Sequence, residues 1–343
     1  MSLVSQVQQL MLQEGASDCV VVESQPLRVR KDGQWMEIES RFFEEKALDE
    51  FVHHSLDEQD RQFLVKNRWV QASLGEDSEW RFRVSVQGGM FSVCVSYAPL
   101  DLSGFEPIRT IQDVSPVPNG MVVLCGPGRS GRTTLLRQFL NERRKVNAEP
   151  FLIVGDSEEF AHADMKSMFV QRGLDVDQAA LTTFLNSHTH VGTFAFDFNG
   201  EGQFDLALSA SKQGAVSVVT QPTMNVVTCL QDIASRCSEA EWSTFVGHFR
   251  AVISQKLVPG REGGMFAANE VLLPSTDVGA ALNRKDWWRA VELMHGSGEA
   301  SGMRTLNQSL LQLLLRRKVE LKQAFMHSDN PDELDRMLSK AGI

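Results

Sequence analysis

No stretch of this 343-residue sequence approaches the ~20 consecutive apolar residues that a membrane-spanning helix needs. The opening "MSLVSQVQQLMLQEG" is interrupted by polar residues and has no basic lead, so neither a signal peptide nor direct membrane insertion is expected. Cysteine is scarce: Cys19, Cys94, Cys125, Cys229 and Cys237 are odd in number and show no C-x-x-C spacing. That argues against a disulfide framework and for buried thiols in a reducing, cytoplasmic setting. Basic charge is outnumbered, 34 Lys and Arg against 44 Asp and Glu, and the net charge of -10 argues against a dominant nucleic-acid surface. A protein or small-molecule partner fits better. No internal repeat, low-complexity tract, Ser-His-Asp or Cys-His arrangement stands out. His53 and His54 are adjacent on a helical pattern and cannot share a ligand, and His188 and His190, near Asp197, read as surface histidines before they read as a metal site.

The length is too great for one ordinary core and fits two domains with a helical appendix. Residues 2–14 place Leu3, Val7, Leu10 and Met11 on one helical face, and Gly15 can end the turn. "CVVVE" (19–23), then "LRVR" and "QWMEI" around the Asp32-Gly33 turn, predict a strand and a hairpin. Helical patterns follow at about 44–55 and 57–67, and "WRFRVSVQGGMFSVCVSY" (80–97) predicts a second hairpin around Gly88-Gly89. Residues 1–98 thus read as an α+β domain on a mainly antiparallel sheet. The proline-punctuated stretch 99–119 reads as a linker or hinge. After it, "GMVVLCG", "PFLIVGD", "HVGTFAFDF" and "AVSVVTQ" are short apolar runs separated by helical patterns, as in a parallel sheet wrapped by helices over 120–272. Residues 273–343 are helical in pattern. There the leucine run Leu310, Leu311 and Leu313 to Leu315 reads as core, and Trp287 and Trp288 as helix packing, with an interface anchor as the alternative for one of them.

"CGPGRSGRTTLL" (125–136) follows the first of those parallel strands and fills the pattern G-x-x-x-x-G-K-[ST] with Gly126, Pro127, Gly128, Arg129, Ser130, Gly131, Arg132 and Thr133. In such a loop the glycines let backbone N–H groups turn around an anion, the next helix offers its positive N-terminus, lysine meets the outer phosphates, and the Thr133 hydroxyl would ligate Mg²⁺. Here arginine stands in the lysine position. An ammonium is a compact point charge, whereas a guanidinium is a wider planar fork that works from farther away. Arg129 adds bulk where a small residue helps the backbone approach the anion. On the motif alone, an ordinary Gly/Ser/Pro turn joining strand to helix stays open beside the phosphate-loop reading.

Along nearly the whole chain the sequence resembles the type IV pilus retraction ATPases, the PilT/PilU-like members of the secretion ATPase superfamily. The resemblance rests on "EGASDCVV", "WRFRVSV", "GPGRSGRTT", "FRAVISQKLVPGREGGMFAANEVLL" (249–273), "GMRTLNQSLLQLLL" and "SDNPDEL", which occur in the same order and spacing. It implies an N-terminal α+β (PAS-like) domain, a RecA-like P-loop core and C-terminal helices. It implies ATP and Mg²⁺ as ligands, held by Gly126, Gly128, Ser130, Gly131, Arg132, Thr133 and Thr134, with Thr133 on the metal. In "IVGDSEEF", Glu159 falls on the family's water-activating glutamate, with Asp156 a neighbouring acid. In "HVGTFAFDFNG", Asp197 replaces a glutamate, and a strand-end acid facing water is the alternative reading of that residue. The family's His-box histidine falls on Pro222, which can neither donate to a phosphate nor sense one. Of the hairpin arginines, Arg83 persists while the later position is Ser96.

An arginine finger is worth ~10³ to 10⁵ in rate, so these joint departures imply an impaired ATPase site. The resemblance therefore implies an accessory or regulatory paralogue of the pilus motor in twitching motility, with an active but slow hexameric ATPase that powers retraction as the alternative. It also implies a homo- or hetero-hexamer that works with pilus motor ATPases and the inner-membrane platform protein, in the cytoplasm or peripherally at that membrane.

Overall fold

The computed structural model describes residues 3–22, 24–38, 50, 54, 56–73, 80–87, 90–97, 108–147, 149, 151–155, 168–171, 182, 183, 185, 187, 191–197, 202–296 and 302–342. The chain divides into two compact units, Met1–Gly104 with Ser157–Ala163, and Phe105–Asp156 with Asp164–Ile343.

In the first unit, helix α1 (Leu3–Glu14) buries Val7, Leu10 and Met11, and Gly15 leaves it in the left-handed region at φ 64°. Strands β1 (Asp18–Val22), β2 (Leu27–Lys31) and β3 (Gln34–Ile38) follow. The β2–β3 turn has positive φ at both Asp32 (47°) and Gly33 (80°), the twist that suits a two-residue hairpin. Helix α2 (Glu58–Asn67) starts at Asp57, whose carboxylate accepts the Asp60 N–H at 2.8 Å. Then come β4 (Trp69–Ser73), β5 (Trp80–Gln87) and β6 (Met90–Tyr97). The six strands form a wholly antiparallel sheet in the order β3-β2-β1-β6-β5-β4. The α+β reading of this region thus agrees with the structure. Gln87 pairs with Met90 in the second hairpin, while Gly88 and Gly89, most of the helical pattern at 44–55 (His53 included) and the stretch 99–107 lie outside the described residues.

The second unit opens with the short helix α3 (Arg109–Val114), which buries Thr110, Ile111 and Val114 within the stretch expected to be a hinge. Its sheet runs β13-β12-β7-β11-β10-β8-β9, from β7 (Gly120–Cys125), β8 (Phe151–Gly155), β9 (Met168–Gln171), β10 (Thr193–Asp197), β11 (Val216–Gln221), β12 (Phe249–Pro259) and β13 (Met265–Leu272). Six strands are parallel and β13 closes one edge antiparallel. The four apolar runs expected to form a parallel sheet are β7, β8, β10 and β11. They are buried on both faces, which is why they read as unbroken hydrophobic runs. The helices are α4 (Arg132–Val146), α5 (Gln203–Lys212), α6 (Val226–Arg236), α7 (Glu239–His248), α8 (Thr276–Asn283), α9 (Trp287–Gly296), α10 (Leu306–Leu315), α11 (Leu321–His327) and α12 (Pro331–Ala341). This is a RecA-like α/β core followed by helices.

Beyond β13 the helical expectation holds, with finer detail. Leu310 is fully buried, Leu311, Leu313 and Leu314 pack against its cluster, and Leu315 is exposed. Trp287 lies edge-on against Trp242 at 5.8 Å, whereas Trp288 is 75% exposed. Cys19, Cys125 and Cys229 are buried, Cys94 and Cys237 half-buried, and none of the five is in a disulfide. No helix among the described residues is long and apolar enough to cross a membrane.

Candidate functional site

The C-terminal edge of the second sheet gathers the residues picked out by the loop motif. Strand β7 ends at Cys125, and α4 begins at Arg132 with Gly131 as its N-cap, so Gly126–Gly131 bridge a buried strand and a helix N-terminus. Two glycines there are required by geometry. At Gly126 (φ 152°) an added Cβ would lie 2.4 Å from both the Gln255 carbonyl oxygen and the Ser130 Oγ. Gly131 adopts φ 83°, and a Cβ on it would lie 2.7 Å from Gln255 Nε2. Gly126 N–H donates to the Gln221 carbonyl at 3.3 Å, which ties the loop to the end of β11.

Gly131 caps α4 without a side chain, and the first N–H groups of the helix, from Arg132, Thr133 and Thr134, have no intrahelical acceptor. Thr133 and Thr134 are half-buried and Gly128 is exposed. Ser130 Oγ is buried with no hydrogen-bond partner among the described residues. A helix N-terminus, a loop closed to a Cβ at Gly126 and Gly131 and an orphaned buried hydroxyl together fit a phosphate group. Arg132, Thr133, Thr134 and the loop amides would hold it. The Thr133 hydroxyl is placed at the start of α4, where the loop motif puts its magnesium ligand.

The arginine departs from the pattern in a specific way. Arg132 Nη1 donates to the Gly126 carbonyl at 3.0 Å, so the guanidinium folds back over the start of its own loop. Burial pulls its proton affinity down, and the neighbouring Asp197 and Cys125 pull it back up. Arg129 does not intrude as its bulk suggested. It is exposed, and its cost is a left-handed backbone at φ 62°, about 1–2 kcal/mol for a residue with a Cβ.

Asp197 ends β10, one strand beyond β11 from the loop, and accepts the Thr220 hydroxyl at 2.6 Å. The reading of Asp197 as a strand-end acid open to water is thereby narrowed: it is half-buried, hydrogen-bonded and electrostatically felt by Arg132. Pro222 is exposed just past β11. Arg83 lies on β5, paired with Cys94, and Ser96 donates to Asp18 Oδ1 at 2.8 Å within the first sheet. Glu159, Asp156, His188 and His190 lie outside the described residues.

Three contributors escaped the sequence reading. Thr220 and Gln255 act on Asp197 and the loop, and Arg143 anchors α4. Its guanidinium is 1% exposed, reaches the Ser115 and Val117 carbonyls at 2.6 and 2.8 Å, and bonds Glu149 and Thr193. The available signal was polarity where burial was due: an arginine on the apolar face of α4, and Ser254-Gln255-Lys256 inside an otherwise apolar strand.

No family model matches the chain. Among curated proteins it is 24% identical over 348 aligned positions to "Type IV pilus ATPase PilU" of Pseudomonas aeruginosa, covering 97% of this chain and 90% of that one. "Type IV pilus retractation ATPase PilT" of the same organism is 23% identical over 324 positions, 91% and 94% of the two chains. A "Twitching motility protein" of Neisseria gonorrhoeae is 24% identical, with 97% and 92% covered. Among solved structures, the pilus retraction motor PilT with bound ADP superposes at a TM-score of 0.78 and 20% identity, covering 98% of this chain and all of that one. The Legionella pneumophila ATPase DotB gives a TM-score of 0.73 at 16% identity over 95% of both chains. These structures establish a shared fold.

Proposed function

The chain is similar to the PilT/PilU-like secretion ATPases over nearly its whole length, and on that premise we propose that it is a nucleotide-binding paralogue of the type IV pilus motor with impaired hydrolysis. It acts as an accessory or regulatory subunit, within a homo- or hetero-hexameric ring, on the cytoplasmic side of the inner membrane beside the pilus platform protein. The observation that carries this reading is Arg132. The loop keeps its glycines, its orphaned Ser130 hydroxyl and its helix N-terminus, but its cation is bonded to the Gly126 carbonyl.

Binding depends on the cradle, which is retained. Phosphoryl transfer depends on positioning and electrostatic stabilisation of charge that develops on the outer phosphate. A planar fork turned onto its own loop, together with Pro222 and Ser96 at positions where the family carries a histidine and an arginine, supplies little of that. Bound Mg²⁺ would neutralise phosphate charge and orient the outer phosphate. Thr133 offers it a hydroxyl, and Asp197, held by Thr220, offers a fixed carboxylate nearby.

The test measures binding and turnover on the same preparation. A fluorescent ATP analogue is expected to bind in the micromolar range or weaker, while Mg²⁺-dependent phosphate release stays at background. Turnover that is abolished by Glu159→Gln would instead support the second reading, a slow ATPase that powers retraction itself. Asp197 favours that second reading, because it keeps a carboxylate at the end of β10 and holds it in place through Thr220.

A further inference from the structure

The loop Gly126–Gly131 is held by its own bonds and also by a side chain from a different strand. We infer that Gln255 is a positioning residue that fixes the loop in its anion-binding form by aiming the Gly131 amide. The ligand arm of this inference rests on the nucleotide reading above, but the loop geometry does not.

Gln255 meets the loop at three points. Its Nε2 donates to the Ser130 carbonyl at 2.8 Å and lies 2.7 Å from where a Gly131 Cβ would fall, and its own carbonyl oxygen lies 2.4 Å from where a Gly126 Cβ would fall. The side chain is buried on β12, and β12 is fixed by the sheet, since Ser254 pairs with Cys125 of β7. The anchor is therefore rigid independently of the loop it holds.

The Ser130 C=O and the Gly131 N–H belong to one peptide plane and point in opposite directions. Drawing the carbonyl toward Gln255 aims the amide away from β12. The preceding peptide is set as well, because Ser130 N–H donates to the Pro127 carbonyl at 3.2 Å. Without Gln255 the Ser130 carbonyl would be a buried acceptor with no donor, and the cheapest relief is a peptide flip that withdraws the Gly131 amide from the anion side. Glutamate of equal length cannot serve, because a carboxylate has no proton to donate and repels the carbonyl.

The next residue supplies a control. Lys256 bonds the His327 carbonyl at the end of α11 and Asp329 just past it, whereas Gln255 bonds the loop. Its loss disturbs the same strand but leaves the loop alone.

Hydrogen exchange of the full chain, read on peptides spanning 126–135, tests the inference in wild type, Gln255→Ala, Gln255→Glu and Lys256→Met. About tenfold faster exchange of the loop amides is expected in both Gln255 variants, with Lys256→Met like wild type. With a fluorescent ADP analogue and Mg²⁺, affinity is expected to fall about tenfold in the Gln255 variants and to hold in Lys256→Met. Unchanged loop exchange in a folded Gln255→Ala or Gln255→Glu overturns the inference, as does an equal effect from Lys256→Met. Gln255→Asn, which keeps the amide but is one methylene too short, is expected to behave as the other Gln255 variants and serves if either of them fails to fold. Should wild type bind no nucleotide, the functional reading fails while the exchange arm still decides the role of Gln255.

Discussion

Glu270 offers the most quantitative handle on the second unit. It sits buried on β13 opposite Ser254, and its carboxylate accepts the Val226 N–H at 2.8 Å, in the first turn of α6. Burial pushes its pKa up from 4.5 to about 7, reinforced by Asp329 and Glu333 and opposed by the Val226 hydrogen bond and by Lys256. In the unfolded chain the group returns to an ordinary value near 4.3. The folded state therefore binds this proton more tightly, and between about pH 4.5 and 7 it holds more of the proton than the unfolded state does. Stability from this group is fully present below about pH 4.5, falls as pH rises, and is lost above about pH 7. At ~1.4 kcal/mol per tenfold change in proton affinity the loss is about 4 kcal/mol. Glu270→Gln keeps an oxygen for Val226 and removes the charge that burial penalises. The variant is expected to match wild type near pH 4 and to exceed it by about 4 kcal/mol at pH 8. For a unit of this size that is roughly 8–16 °C in Tm, read by thermal unfolding followed by far-UV circular dichroism. A variant as pH-sensitive as wild type, or less stable at pH 8, would show that the buried Glu270 carboxylate does not weaken the fold at neutral pH.

Three further outcomes are expected. Arg143→Met should cost about 3–5 kcal/mol, because it strands Glu149 and two carbonyls, whereas Lys145→Met, which breaks only the exposed pair with Glu142, should stay within about 0.5 kcal/mol; urea unfolding compares them. Gly126→Ala should abolish binding of a nucleotide analogue in a fluorescence titration, since its Cβ has no room beside Gln255 and Ser130; retained affinity would show that the loop can move aside. Arg132→Lys should release the Gly126 carbonyl and raise Mg²⁺-dependent phosphate release about tenfold or more over the wild-type rate, and an unchanged rate would show that Arg132 does not limit turnover.

Much of the architecture was legible because burial and periodicity leave direct marks. The four strands buried on both faces could be read as unbroken apolar runs, and the Asp32-Gly33 hairpin carried its turn chemistry in two letters. Strands β12 and β13 were harder to read. Polar Ser254, Gln255 and Lys256 interrupt β12, and Gln255 and Lys256 are tolerated there because the loop and Asp329 satisfy them. The exposed Leu315 at the end of a leucine run shows the opposite limit, since a run of apolar letters does not say where a helix turns to solvent.

For the site, the sequence by itself determined the chemical inventory: a glycine-spaced loop after a strand, an arginine where lysine is usual, a threonine at the helix start and an acid at a later strand end. Those follow from spacing along one chain, because the loop is contiguous. The tertiary structure alone decided what the inventory does. It turned Arg132 onto Gly126, bound Asp197 to Thr220 and set Gln255 against Ser130. Each of these contacts joins residues that only strand order brings together, or depends on a side-chain direction that spacing does not encode.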